Sequence, residues 1–459
     1  LATAGTFQMQ LNPKASQAYN ERANTLFSHL TARPSQRPQA SSRHFVPDAH
    51  VTATIPFQDI IGEIKMMRHD REGNEAGKAF YHEGQTVELI GEGYQILKKI
   101  AVGIHKAPDL HQSVSVTFLV DHIFDWVQES YKQTTTLTMT EYVLMECEKS
   151  IKEYEVWIPI ASTHIESEFH FGKMKIKTIT REMLDRWEAD FRQRHPEMPP
   201  GADEFFTRWR KKVLGLAAAT MELKAEPKRA YELVSSEAER TLSILRCLSP
   251  QNCFPFVVSY SVPLGQEGAR SFQYLMTQED RVVFSTSGIE QTPFDRWTID
   301  NEYLTEMKQF GLDKLDALLK IQSPTAFQKT MLNALQLYGR SSIFRDSADK
   351  LTYILTPIEA LLLLNQGQSP EDLAERFAFF VDKTFEGRKQ AFETVLQIYD
   401  RRLSFVHGEH PEADMQLLER FMVMAWTFFI NSVGNANKFT TKDEFIRAVD
   451  NFKLSGGLK

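Results

Sequence analysis

Cysteine is scarce. Three residues, Cys147, Cys247 and Cys253, are scattered along 459, an odd number at wide spacing that argues against a disulfide scaffold or a cysteine-ligated zinc and fits a reducing compartment. Long apolar runs are missing as well. "LLLL" (residues 361–364) and "FMVMAWTFFI" (residues 421–430) fall well short of the ~20 residues a membrane-spanning helix needs. The first residues carry no signal-peptide pattern, so a cytoplasmic protein with no membrane role is expected. Positive charge is not in excess: 53 basic against 60 acidic side chains leave a net charge of −7. No global field draws nucleic acid, and any such binding has to be local. A nucleophile elbow, a Walker lysine loop, an HExxH zinc motif and a fixed-period repeat are all absent.

What remains is the stock of an ordinary globular protein, 42% hydrophobic, with 32 Phe to fill sizeable cores. Its length calls for two or three domains. Residues 14–33 read as an amphipathic helix, and "PSQRPQASSRHFVP" after it as an exposed linker. Residues 1–150 form a mixed, mostly helical region, with "TVELIGEGYQILKKIAVGI" and "SVTFLVDHIFDWVQESYKQ" as helices. Residues 151–320 change character to α+β, a possible sensor or regulatory domain. "EYEVWIPIAS", "GKMKIKTIT", "FPFVVSYSV", "FQYLMTQ" and "RVVFSTS" have strand length and β-branched alternation. Between them "TREMLDRWEADFRQR", "EFFTRWRKKVLGLAAATMELKA" and "PKRAYELVSSEAERTLSILRCLS" read as helices, the last opened by Pro227. Residues 321–459 are helical almost throughout, with short capped connections that imply antiparallel neighbours. Ser369, Pro370, Glu371 and Asp372 make a good helix start. The two apolar helices at 351–364 and 417–430 belong in the middle of the bundle. The expected fold class is mainly α with an α+β middle region and a C-terminal all-α helical bundle.

One stretch of that bundle carries chemistry. "YDRRLSFVHG" (residues 399–408) sets Arg401, Arg402 and His407 beside an apolar stripe of Phe392, Val395, Leu396, Tyr399, Leu403 and Val406. Arg402 and His407 border that stripe on opposite edges, whereas Arg401 joins Ser404 in a polar row facing solvent. Arg402 and His407 sit about 140° apart on an ideal helix, too far to converge from one straight helix. Either the helix loosens near Gly408, or a second copy of the stretch supplies the missing half across a symmetric contact. The residue types suit RNA. Histidine can take or give a proton at neutral pH, and arginine offers a planar fork to phosphate oxygens. A ribose 2′-hydroxyl so assisted can attack its own phosphate without metal or cofactor, and DNA lacks that nucleophile. An arginine and a histidine at helix edges are also common as plain solvent-facing residues.

Other candidates have stronger ordinary readings. "HIESEFH" puts His164, Glu166, Glu168 and His170 on one face of a strand, but four such side chains spread over ~20 Å and cannot share one ion. A solvated strand face is expected there. "GEGYQILKK" lacks the spacing of a phosphate loop, no convincing strand leads into it, and a glycine interruption in or before a helix is expected. "RWRKK" (residues 208–212) can touch phosphates, but reads first as a solvated helix face.

The stretch resembles the Apea-like branch of the HEPN superfamily. That branch carries a "YD-x-R-[SN]-x-x-x-HG" element, here met by Tyr399, Asp400, Arg402, His407 and Gly408. "IEALLLL", "AERFAFFV" and "EGRKQAFETVLQIYD" look like its preceding helices in order, so the resemblance covers roughly residues 345–435. It implies a homodimeric, metal-independent endoribonuclease of HEPN fold that acts in antiviral defence or toxin-like growth arrest. Arg402 and His407 would be its catalytic pair, with Arg401 and Ser404 in support. RNA, such as tRNA or another structured RNA, would be the substrate, and an antitoxin or trigger protein a further partner. The chain departs from the pattern at Leu403, where the family has a small polar residue; Ser404 comes one position late. Leu403 and the acidic net charge favour the alternative, a non-catalytic HEPN module for dimerisation or for RNA or protein binding. A metal-dependent enzyme using the middle region is a third class.

Overall fold

A computed structural model of the chain describes residues 9–34, 67–69, 72–73, 75–197, 201–266, 271–278, 281–289, 296–364, 367–406 and 414–454. It is mainly helical, with short sheets and a helical C-terminal third. Two compact units emerge, neither of them one contiguous stretch. The first joins Leu1–Val156, Asp185–Lys212 and Glu222–Leu233; the second joins Trp157–Leu184, Val213–Met221 and Val234–Lys459. The three consecutive regions suggested by composition follow local sequence, which does not register where a chain leaves a unit and returns.

In the first unit, helix α1 (Pro13–Asn24) is capped by Asn12, whose side chain accepts from the Lys14 amide at 3.0 Å. The helix stops well before residue 33. A 3₁₀ turn follows, and then strand β1 (Leu30–Pro34), because this segment pairs with a sheet. That antiparallel sheet runs β1-β4-β3-β2, with β2 (Met67–His69), β3 (Glu75–His82) and β4 (Gln85–Ile90). Glu83 and Gly84, with φ of 46° and 79°, make the tight β3–β4 turn that favours two residues in the left-handed region. "TVELI" is therefore strand rather than helix start, with Val87 and Leu89 buried. Helix α2 (Gly91–His105) begins directly after β4. A strand does lead into "GEGYQILKK", contrary to expectation, but no loop remains between strand and helix to cradle a phosphate. Helices α3 (Pro108–Ser113), α4 (Val116–Tyr131) and α5 (Met139–Ser150) close the core around Leu97, Ile100, Leu119, Ile123 and Val143. Helices α6 (Arg181–Arg194) and α7 (Ala202–Val213) are tied by Arg210, which pairs with Asp185 and Glu188.

The strands β5 (Lys152–Pro159) and β9 (Ala217–Ala225) each pass from one unit into the other, and the second unit holds β6 (Thr163–Ile165), β7 (Phe169–Phe171) and β8 (Met174–Thr178). There β8 lies between β7 and β9, antiparallel to both. Two expectations fail here. "HIESEFH" is two short strands with a break, so its four side chains share no face. "AAATMELKA" was expected to extend a helix and is strand. Alanine favours helix intrinsically, but Ala217, Ala218 and Ala219 are small enough to be wholly buried in the sheet, and tertiary pairing overrides the propensity. Helix α8 (Pro227–Leu245) opens at Pro227 as expected, its first amides held by the Glu226 carboxylate. A hairpin of β10 (Ser271–Gln278) and β11 (Arg281–Ile289) follows, and β12 (Trp297–Ile299) pairs in parallel with β6. "FPFVVSYSV" forms no strand; its backbone groups are used by Lys350 and Ser342 instead.

Helices α9 (Asn301–Gln309), α10 (Leu312–Leu319), α11 (Ala326–Ser341), α12 (Ser347–Leu362), α13 (Pro370–Val381), α14 (Phe385–Val406), α15 (Met415–Val433) and α16 (Lys442–Leu454) complete the unit. The last six match the expected helical third. Ser369 and Asp372 form the capping box at α13. Aromatic rings fill the centre: Phe377, Phe421, Phe428, Phe429 and Phe445 are fully buried, and Tyr338 stacks on Phe429 at 4.1 Å. Among the described residues, two buried cations have no carboxylate on them. Arg246 donates to the carbonyls of Gly339 and Ser261 and to Ser243 Oγ. Lys350 donates to the carbonyls of Pro255 at 2.7 Å and Val257 at 2.6 Å.

Two tests follow from this packing. A Cβ on Gly339 would lie 1.6 Å from the Ser243 carbonyl oxygen. Gly339→Ala must push α11 off the end of α8, and is expected to cost about 3 kcal/mol or more in urea unfolding; a loss below about 0.5 kcal/mol would contradict this contact. Burial lowers the Lys350 ammonium to about 8. The folded chain then sheds this proton before the unfolded chain does. The cost of the buried charge is full below about pH 8 and relieved as pH rises towards the unfolded value near 10.4. Relative to Lys350→Met, the native chain should gain on the order of 1–2 kcal/mol between about pH 7.5 and 9.5. A pH-independent difference would refute it.

Candidate active site

Helix α14 carries the arginines in question. Its buried line runs through Ala391, Thr394, Val395 and Ile398, all nearly inaccessible, whereas Phe392, Leu396 and Tyr399 are only half-buried. The packing face is thus turned from the stripe read by hydrophobicity, because small Ala391 and Thr394 allow close helix contact. The next residue along the buried line, four after Ile398, is Arg402. It extends the packing face rather than bordering it.

A charge at the end of a buried line needs an answer, and α12 gives it. Arg402 Nη1 donates to Glu359 Oε1 at 2.7 Å, and Tyr399 Oη donates to the same oxygen at 2.6 Å. Both ion-pair side chains are partly exposed, at 30% for Arg402 and 25% for Glu359. Burial first, and then the bond to Glu359, push the Tyr399 hydroxyl well above its ordinary value, so it remains a donor. One carboxylate oxygen therefore fixes two side chains from adjacent turns of α14.

Glu359 and Tyr399 line a depression of about 550 Å³. Thr356 and Gln368 add polar groups, Leu363, Leu364 and Pro370 an apolar wall, and Lys442 reaches it from the first turn of α16. Burial lowers the Lys442 ammonium below its usual range. Chemically the site offers an oriented guanidinium, a protonated phenol, a carboxylate and a second cation beside an apolar surface. Nothing in that set resembles a metal cage, and among the described residues no three His, Cys, Asp or Glu side chains gather as metal ligands.

Of the residues read from sequence, Arg402 belongs to this site. Arg401, half-exposed, makes no ion pair among the described residues. His407 and the side chain of Ser404 lie outside the described residues. The sequence reading passed over Glu359, although it is the only charged residue between Lys350 and Glu371; a lone acid in the apolar part of the helix after its first turn is a legible signal. Lys442 offered none.

The other candidates serve structure. His164 Nδ1 is 2.8 Å from the Gly215 carbonyl oxygen, the Glu166 carboxylate receives the Asn301 amide, and Glu168 pairs with Lys175. In "RWRKK", Arg210 is spent on Asp185 and Glu188, leaving Lys211 and Lys212 exposed. Burial pushes the Cys147 and Cys247 thiols up to about 12 and Cys253 to about 11, which makes them poor nucleophiles. Among the described residues no helix is long and apolar enough to cross a membrane.

No family model, curated protein or solved structure matches the chain. The Glu359–Arg402 link can be weighed directly. Glu359→Ala strands two donors and is expected to cost about 1–3 kcal/mol of stability. A double-mutant cycle with Arg402→Ala should give a coupling of about 0.5–1 kcal/mol, reduced by partial exposure. Additive effects would remove the pair from any structural role.

Proposed function

We propose that the C-terminal helices form a HEPN-type endoribonuclease that cuts RNA without a metal, in antiviral defence or growth arrest. His407 accepts the proton of a ribose 2′-hydroxyl, whose oxygen bonds to the adjacent phosphorus. The bond from phosphorus to O5′ breaks, and O5′ takes up a proton. The products are a 2′,3′-cyclic phosphate and a 5′-hydroxyl. Arg402 holds the phosphate oxygens as charge builds on them. Arg401 and Ser404 contribute polar contacts nearby, and a second protomer completes the cleft with its own copy of the stretch.

The observation that carries this reading is the fixed guanidinium of Arg402. It continues the packing face of α14 and is oriented by Glu359, which itself lines an open depression, five residues before the histidine of the motif. An arginine held this way loses little freedom when it meets a phosphate. The same ion pair favours a second reading: Glu359 already neutralises Arg402, as suits a non-catalytic module that dimerises or binds RNA or protein.

Incubation of the purified chain with total RNA in EDTA separates the two. The nuclease reading expects cleavage to 2′,3′-cyclic ends, intact DNA, and a loss of roughly 10²–10⁴-fold with His407→Ala and a comparable loss with Arg402→Ala. Uncut RNA that is still bound would support the module; cleavage that survives in His407→Ala would sink the assignment of the base.

A further inference from the structure

The depression beside Glu359 contains more than the proposed catalytic pair requires. We infer that it is a subsite for one nucleotide of single-stranded RNA, with Lys442 clamping the phosphate and Leu363, Leu364 and Pro370 forming a shelf for the base. This rests on the reading of the unit as one that acts on RNA, and it names a binding residue outside the "YDRRLSFVHG" stretch.

The charges in the depression point that way. Glu359 is engaged by Arg402 and Tyr399. Gln368 Oε1 accepts from the Leu364 amide and from Arg376. Lys442, half-exposed, makes no ion pair among the described residues, and the exposed Asp443 carboxylate next to it in the chain offsets its charge only from a distance. Burial already disfavours the ammonium, and an incoming anion would relieve that cost. The site therefore attracts a single negative charge. Beside it, Leu364 is 41% exposed at the rim of the apolar wall. About 550 Å³ lies within the roughly 300–1,000 Å³ typical of small-ligand sites. One anionic group next to one flat apolar face is the chemistry of a nucleotide. The link from Tyr399 through Glu359 to Arg402 makes the shelf continuous with the group proposed to hold the scissile phosphate.

The test is fluorescence anisotropy of a short labelled oligouridylate in EDTA, across a salt series, with full-length chain carrying His407→Ala so that RNA stays whole. Lys442→Met keeps the apolar stem and removes the charge. It should weaken binding roughly 3–10-fold at low salt and flatten the log–log salt slope by about 0.7, the share of one single-strand phosphate contact. Lys442→Arg should restore both. Lys438→Ala, at an exposed lysine of a separate depression in these helices, should change neither. An unchanged slope in Lys442→Met, or an equal loss in Lys438→Ala, would overturn the subsite. If the chain with native His407 binds RNA but never cuts it, the nuclease reading fails, and the Lys442 slope still decides this inference.

Discussion

A single carboxylate oxygen organises the candidate site. Glu359 Oε1 receives Tyr399 and Arg402 from two turns of α14, so the angle and register between α12 and α14 are coupled to the positions of both side chains. Geometry of this kind cannot come from one helix alone. It also explains why a guanidinium ends an otherwise apolar packing line: without Glu359 the fold would half-bury an unanswered charge, which is costly.

Two charges of helix α12 run against its dipole, although Asp346 at the N-cap and Asp349 in the first turn follow it. Lys350 sits in its first turns and Glu359 in its last, a cation at the positive end of the helix dipole and an anion at the negative end. Each is compensated from elsewhere: Lys350 by carbonyls of the irregular segment after α8, Glu359 by α14. The two exceptions to local preference are thus the points where α12 is tied to its surroundings. Pro357 lies between them inside the helix, where it removes one amide donor, so tertiary ties matter more here than helix propensity. A rigid aromatic core behind α13, α15 and α16 then leaves the α12–α14 edge free to carry polar groups.

Much of the apparent chemistry elsewhere turns out to be structural cement. His164, Glu166 and Glu168 of "HIESEFH" are spent on backbone groups and Lys175, the central arginine of "RWRKK" is neutralised by two acids, and the buried thiols are held protonated. The same residue types do different work because their partners differ. Functional weight falls on a place where charged groups are oriented, partly exposed and beside open space together.

Some of this was determined by the sequence alone. Period-3.6 patterns with a capping residue such as Ser369 marked α11 to α16, because those signals lie within a few residues of one another. The position of Arg402 in a helix beside apolar residues was equally local. Tertiary structure decided the rest. "TVELI" is strand because it closes a hairpin with the segment just before it and also pairs with Leu30–Pro34. "AAATMELKA" is strand because Met174–Thr178 pairs with it from some forty residues away, and "FPFVVSYSV" lost its strand to Lys350 and Ser342. Composition could not divide the chain, since both units are assembled from segments that leave and return. The bond from Arg402 to Glu359, 43 residues away, and the place of Lys442 in the same depression are long-range facts. Local pattern fixes which face a residue occupies on its own helix, and only packing fixes what meets it there.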